Sequence, residues 1–307
     1  MTGDLVGALR MLREACGQRV RAEVPLAPLT TFRIGGPAAL YLEPDGDADL
    51  RAAAEAVRAY GIEFEIIGKG SNLLVADEGF AGLVLRLGKG YRWVAREGEH
   101  LRAGAAMALP AIAGVALQHG LAGLAFGVAI PASLGGAVRM NAGAHGGEMR
   151  DVIDSVEVFR LRGQGYQEID GKDAGFAYRR SAFPEDAVIV RAGLALHAAD
   201  PATIRTAMNQ ARSWRRETQP LAEPNCGSVF ANPPGDHAAR LIDESGLKGL
   251  QVGGASVSEK HANFIIAGPG ATAADVRALI DTVRSRVAAV TGVELVPEVR
   301  AVGDVHG

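Results

Sequence analysis

EFEIIGKGSNLLV, residues 63–75, decides the fold class. EFEII and LLV read as strands, and Gly68-Lys69-Gly70-Ser71-Asn72 joins them. A dinucleotide fingerprint needs a third glycine where Leu73 stands, and a helix where a second strand follows, so a Rossmann loop is disfavoured. A tight glycine loop can still aim successive N–H groups at a phosphate, with the Ser71 hydroxyl as a further donor. The competing reading is an ordinary β-hairpin turn.

Outward from this loop, DADLRAAAEAVRAY (47–60) predicts a helix with Asp47 as N-cap and Gly61 past its end, and 108–119 predicts another stopped by Gly120. DSVEVFRL and DAVIVRAGLAL have strand character. Asp200 and Pro201 open a helix, and a domain boundary is placed there. Helices follow over 236–245 and from Thr272, where Asp275 three residues on makes a capping-box variant, to near Gly292. ELVPEVRAV (294–302) reads as the last strand, with Pro297 arguing for an edge or a strand start. Strand-to-strand passages among irregularly placed helices favour α+β over a doubly wound parallel sheet.

The 307 residues are enough for two or three domains at about 100–200 residues each. Thirty-two Lys and Arg against 35 acids, a net charge of −3, leave no basic block for nucleic acid. Without a run of about 18 apolar residues, membrane insertion is not expected, and Asp4 with no long apolar core beside it argues against an export signal. Cys16 and Cys226 stand in unrelated contexts, which excludes a disulfide framework and suits the cytosol; no metal spacing occurs, so no metal is expected.

Four places carry chemistry. Between Gly120 and Gly147 small residues dominate, which suits a backbone that a bulky ligand approaches closely, or close packing of a helix on a sheet. FAYRRSAF (176–183) sets apolar residues about Arg179 and Arg180, whose forks can bind a carboxylate or phosphate. In NCGSVFANPP (225–234), Ser228 is not in a G-x-S-x-G elbow, and local chemistry offers a hydroxyl satisfying a turn. Glu298 in VPEVR can pair with Arg300 on one strand face.

Seven blocks in order, TTFRIGGPA (30–38), GKGSNLLV (68–75), IPASLGGAVRMNAGA (130–144), YRRS (178–181), NCGSVFANP (225–233), GLKGLQVGGASVSEKHANF (246–264) and VPEVR (296–300), resemble the UDP-N-acetylenolpyruvoylglucosamine reductase (MurB) family. The short passage after YRRS is similar to the compact form of that family, without an extra substrate loop. The resemblance implies an FAD-binding domain of the vanillyl-alcohol-oxidase (PCMH) type at 1–199, in two α+β subdomains that break near 90, and an α+β substrate-binding domain at 200–307. It implies non-covalent FAD, NADPH as hydride donor, a UDP-sugar substrate, and a cytoplasmic, monomeric enzyme of peptidoglycan synthesis. Gly68, Lys69, Gly70, Ser71 and Asn72 match the pyrophosphate loop. Ser133, Gly135, Gly136, Asn141, Ala142 and Gly143 match the second flavin segment. Arg179 matches the arginine at the substrate carboxylate, Ser228 the proton donor and Glu298 the catalytic glutamate, either a neutral acid or a support for Arg179. Tyr178, Asn232, Lys248, His261 and Arg300 fall at or near substrate contacts. Ala129 and Ala132 replace usual glycines, while Ala231 and Gln219 stand where cations are frequent. The implied chemistry is ping-pong: hydride from NADPH to FAD, then from FAD to the enolpyruvyl methylene carbon. The competing classes are another alcohol or sugar oxidase of the same flavoprotein superfamily, and a non-catalytic nucleotide-binding module.

Overall fold

The computed structural model describes residues 3–305; the two residues at either end of the expected domains lie outside them. The described chain forms two compact units, one of residues up to 22, 40–69 and 82–215, the other of 23–39, 70–81 and 216 onward.

Helices α1 (Leu5–Cys16) and α2 (Asp47–Tyr60) pack over a four-stranded sheet in the order Val20–Pro25, Pro37–Leu42, Phe80–Leu85, Phe64–Ile66. Leu12, Leu42, Leu50, Val57, Leu83 and Leu85 fill that core. The α2 limits agree with the sequence, but its N-cap is Gly46 and Asp47 is the first helical residue, paired with Arg51 one turn on. A second core lies on an antiparallel five-stranded sheet in the order Gly165–Asp170, Ile153–Arg160, Ala187–Ala195, His100–Gly104, Val94–Glu97. Against it sit α3 (Leu109–Gln118) and α4 (Leu134–Arg139), the latter a short helix inside the small-residue stretch. Arg139 at its end donates to the carbonyls of Phe183 (2.9 Å) and Pro184 (3.0 Å), so its charge is solvated by backbone. The helix α5 (Pro201–Thr218) opens as expected, with Asp200 accepting from the N–H groups of Ala202 and Thr203.

The second unit is built on an antiparallel sheet of Gln251–Val252, Ala255–Val257 and Ile265–Ala267, with α6 (Ala238–Glu244) and α7 (Ala273–Thr291) burying Leu241, Val276, Leu279, Ile280 and Val283 in one core. The α6 helix is shorter than predicted: His237 before it has an extended backbone, so the helix opens at Ala238, and Asp236 lies outside it, paired with Arg240. In α7, Thr272 Oγ1 accepts from Asp275 N (3.0 Å) and Asp275 Oδ2 accepts from Thr272 N (3.1 Å). Asp77 takes the next two N–H groups, from Ala273 (2.8 Å) and Ala274 (3.1 Å), leaving few orphan donors at that end. Only Arg300–Val302 of the expected last strand is a strand, paired in parallel with Leu73–Val75. No helix among the described residues is long and apolar enough to cross a membrane.

Thr272→Ala removes one half of the reciprocal cap and should cost about 1 kcal/mol of stability, read as a lower urea midpoint with an unchanged slope.

Candidate active site

The loop Gly68–Asn72 is not a hairpin turn: Phe64–Ile66 pairs in parallel with Leu83–Leu85, whereas Leu73–Val75 pairs with Arg300–Val302. None of its five backbone N–H groups donates to an acceptor among the described residues, a row of open donors that suits a diphosphate. Two close approaches shape it. A Cβ on Gly68 would lie 2.3 Å from Ser133 Oγ, and one on Gly70, at φ +65°, would lie 2.2 Å from the Leu29 carbonyl oxygen. Thr31, in the TTFRIGG block, donates its N–H to the Gly70 carbonyl (3.1 Å) and so holds the turn. Lys69 is exposed and Ser71 half-buried.

The second expected flavin segment behaves differently, since its donors are largely spent within the first unit. Ser133 caps α4 by accepting from Gly136 N (3.3 Å), and Leu134 and Gly135 donate to the carbonyls of Met107 (2.8 Å) and Ala105 (2.9 Å). Gly135 is close-packed, its missing Cβ 3.1 Å from Ala105 Cβ; at Gly136 the nearest neighbour is Ser133 Oγ at 3.4 Å, which leaves room. Asn141 is 0% exposed. Its amide donates to Glu148 Oε2 (2.9 Å) and to the Ala177 carbonyl (3.0 Å), while its Oδ1 accepts from Arg150 N (2.9 Å). Its side chain therefore frames the segment; Ala142 and Gly143 beside it are half-buried.

That frame carries Arg179. Ala177 and Arg180 exchange backbone bonds of 3.0 and 3.2 Å around a two-residue turn with Tyr178 and Arg179 at its tip. Arg179 sits at φ +56°, a left-handed conformation costing an arginine on the order of 1 kcal/mol. Strain of this kind at a loop tip persists where its surroundings fix it. The guanidinium donates to the Gly143 carbonyl (3.0 Å) and lies 4.9 Å from the centroid of Tyr178, which is 51% exposed.

The second unit brings Ser228, Glu298 and Asn72 onto adjoining segments. Ser228 bridges to Phe264 and Phe230 to Pro297. Glu298 N donates to the Val229 carbonyl (2.7 Å), and its own carbonyl accepts from Asn72 Nδ2 (3.0 Å). Arg300 N in turn donates to the Asn72 carbonyl (3.0 Å). The turn before Ser228 is satisfied by Asn225, whose Oδ1 accepts from Gly227 N (2.9 Å), so the Ser228 hydroxyl is not spent on the turn. That hydroxyl has no hydrogen-bond partner among the described residues.

The remaining expected contacts lie in the same unit. Asn232 accepts from Ala238 N (3.1 Å) at the start of α6, and Lys248 is ion-paired with Asp243 at 2.7 Å. Burial foremost, with the Lys248 charge adding to it, pulls the His261 imidazole below its ordinary value. His261 Nδ1 faces Asn263 N at 3.3 Å and accepts from it. Arg300 is exposed. A depression of about 520 Å³ in this unit, lined by Phe32, Arg33, Glu223 and the Gly268–Gly270 turn among others, includes none of the expected site residues. Among the described residues no cluster of His, Cys, Asp and Glu has the makings of a metal site.

Comparison with known proteins gives the parts their family. An FAD binding domain model matches residues 38–166, and a model of the UDP-N-acetylenolpyruvoylglucosamine reductase C-terminal domain matches 219–302. A UDP-N-acetylenolpyruvoylglucosamine reductase of Heliobacterium modesticaldum is 46% identical over 97% of this chain and 95% of its own length. The chain belongs to the UDP-N-acetylenolpyruvoylglucosamine reductase family. A second such reductase, from an Anaeromyxobacter species, is 46% identical over 94% of the chain and 92% of its own length. The crystal structure of the MurB reductase of Thermus caldophilus superposes with a TM-score of 0.82 at 36% identity, covering 92% of this chain and 99% of that one. This member of the family is thus an α+β oxidoreductase carrying an FAD-binding domain.

Gly70→Ala should yield folded protein without flavin absorbance, because both φ and the Leu29 carbonyl oppose a side chain there. At Gly136 the chain itself accepts a Cβ, so Gly136→Ala should fold normally with flavin bound at least about tenfold more weakly, if the cofactor approaches that backbone as the glycine suggests. Cys226 is 3% exposed, and burial foremost, with the Glu298 charge adding to it, pushes its thiol well above the ordinary value. It should therefore resist thiol reagents in the native enzyme, and Cys226→Ala should leave turnover unchanged.

Proposed function

We propose that this reductase converts UDP-N-acetylglucosamine enolpyruvate to UDP-N-acetylmuramate for peptidoglycan synthesis, with NADPH as reductant, as a cytoplasmic monomer whose flavin domain is 1–199 and substrate domain 200–307. The observation that carries it is the match to named reductases over nearly the whole chain, cofactor and C-terminal parts together. The open N–H groups of Gly68–Asn72 fit a flavin diphosphate, and the chemistry supplied by bound FAD is relay of a hydride from the nicotinamide to the substrate's methylene carbon.

The residues of the chain then have a defined task. Hydride addition to the terminal carbon leaves a pair of electrons on the carbon that bears the ether oxygen, delocalised into the adjoining carboxylate. Arg179, permanently protonated and held by the Gly143 carbonyl, binds the carboxylate oxygens on which that charge grows. Ser228 gives its proton to the carbon, which converts the vinyl group to a lactyl methine and methyl. A hydroxyl is a poor acid, but the carbanion is a strong base and the donor is held in place by backbone pairing on both sides of Val229. Glu298, its backbone pinned between Val229 and Asn72, serves the same step. Lys248, Tyr178, Asn232, Arg300 and His261 serve the UDP-sugar.

Ser228→Ala should leave flavin reduction by NADPH nearly intact and slow flavin reoxidation by the enolpyruvyl substrate by about 10² to 10⁴. Anaerobic rapid mixing, followed by flavin absorbance, separates the two. Equal slowing of both halves would remove Ser228 from the protonation step.

A further inference from the structure

Asn263 lies in no motif of the flavin site and holds no expected role. It is 4% exposed, and its side chain meets one residue twice: Oδ1 accepts from Phe230 N (2.9 Å) and Nδ2 donates to the Phe230 carbonyl (2.8 Å). Its own carbonyl accepts from Val229 N (2.9 Å).

The need for such a side chain follows from the pairing around it. Val229 gives its N–H to Asn263 on one edge, but its carbonyl accepts from Glu298 N (2.7 Å) on the other, and Ala231 N donates to the Val296 carbonyl (2.9 Å) on that second edge. The backbone thus changes edges at Val229. Phe230, 2% exposed, is left with an N–H and a carbonyl turned away from the second edge, and a buried amide without partners is costly. The Asn263 carboxamide supplies both partners, standing in for the strand residue that the switch leaves out. Ser228 lies just before the switch and Glu298 is bonded at it.

We infer that Asn263 is a positioning residue for the protonation step: its carboxamide fixes the edge switch at Val229–Phe230 and thereby the placement of Ser228 relative to Glu298. The inference rests on the reading of Ser228 as proton donor. Asn263 does its work through Phe230, and its Oδ1 and Nδ2 are both occupied by that residue.

The test compares flavin reduction and flavin reoxidation in holoenzyme carrying Asn263→Ala, Ser228→Ala or both. Asn263→Ala should slow reoxidation at saturating enolpyruvyl substrate about ten- to a hundredfold, the scale of a donor misplaced by about 1 Å, with flavin reduction changed by less than about twofold. With Ser228 absent there is nothing left to position, so the double variant should be no slower than Ser228→Ala alone. A merely structural role would lower the flavin-loaded fraction and leave the rate constants of loaded enzyme unchanged. That result, or losses that multiply in the double variant, overturns the positioning role while Ser228 keeps its own. Parental reoxidation by Ser228→Ala would instead overturn the reading beneath it. Should Asn263→Ala give no flavoprotein, Asn263→Asp carries the same comparison with the same outcomes, since it keeps the acceptor for Phe230 N–H and lacks the donor.

Discussion

Hydrogen bonding at Val229, divided between two neighbouring segments, is the constraint on which the backbone around Ser228 and Glu298 depends. A single residue pairs with 263 on one side and 298 on the other, so Ser228, Phe264, Pro297 and Glu298 are tied into one patch of backbone. Asn72 extends the patch, accepting from Arg300 N and donating to the Glu298 carbonyl, which joins the last residue of the glycine loop to the strand that follows Glu298. Proton delivery to carbon tolerates little misplacement, and backbone pairing supplies rigidity that a loop hydroxyl lacks on its own.

The first unit meets an analogous demand by other means. Arg179 is held in a left-handed turn by the Gly143 carbonyl beneath its guanidinium and by Asn141, which bonds the carbonyl two residues before it. Asn141 is fully buried and bonded through both amide atoms, so the segment expected to touch flavin is also the frame that holds the Tyr178–Arg179 turn. The glycine loop has the reverse character: its backbone donors are open, and its glycines are required by the close approach of Ser133 and Leu29.

What the sequence made legible was local. Helix α2 and the reciprocal Thr272–Asp275 cap of α7 were readable because periodicity and caps are written within one or two turns. The absence of a Rossmann loop followed from Leu73 and from the strand that takes the place of a helix after it, and the seven motif blocks pointed to the family that the relatives then showed. What failed was set by partners distant in sequence. The helix expected over 236–245 opens only at Ala238, whose N–H is taken by Asn232, and ELVPEVRAV shortens to Arg300–Val302 because the residues before it pair singly with Val229 and Ala231. Asn263 stood in the 246–264 block without a role, since a carboxamide that replaces a missing strand residue is defined only by the buried Phe230 33 positions away. The turn residue in NCGS proved to be Asn225, so the Ser228 hydroxyl is not spent on the turn.

The most direct measurement is the stoichiometry of NADPH oxidation by the purified flavoprotein under anaerobic conditions, with UDP-N-acetylglucosamine enolpyruvate as sole acceptor. One NADPH should be consumed for each UDP-N-acetylmuramate formed, with no steady consumption when the enolpyruvyl sugar is withheld. A colourless protein, or a flavoprotein whose NADPH consumption is indifferent to that sugar, would contradict the proposed function.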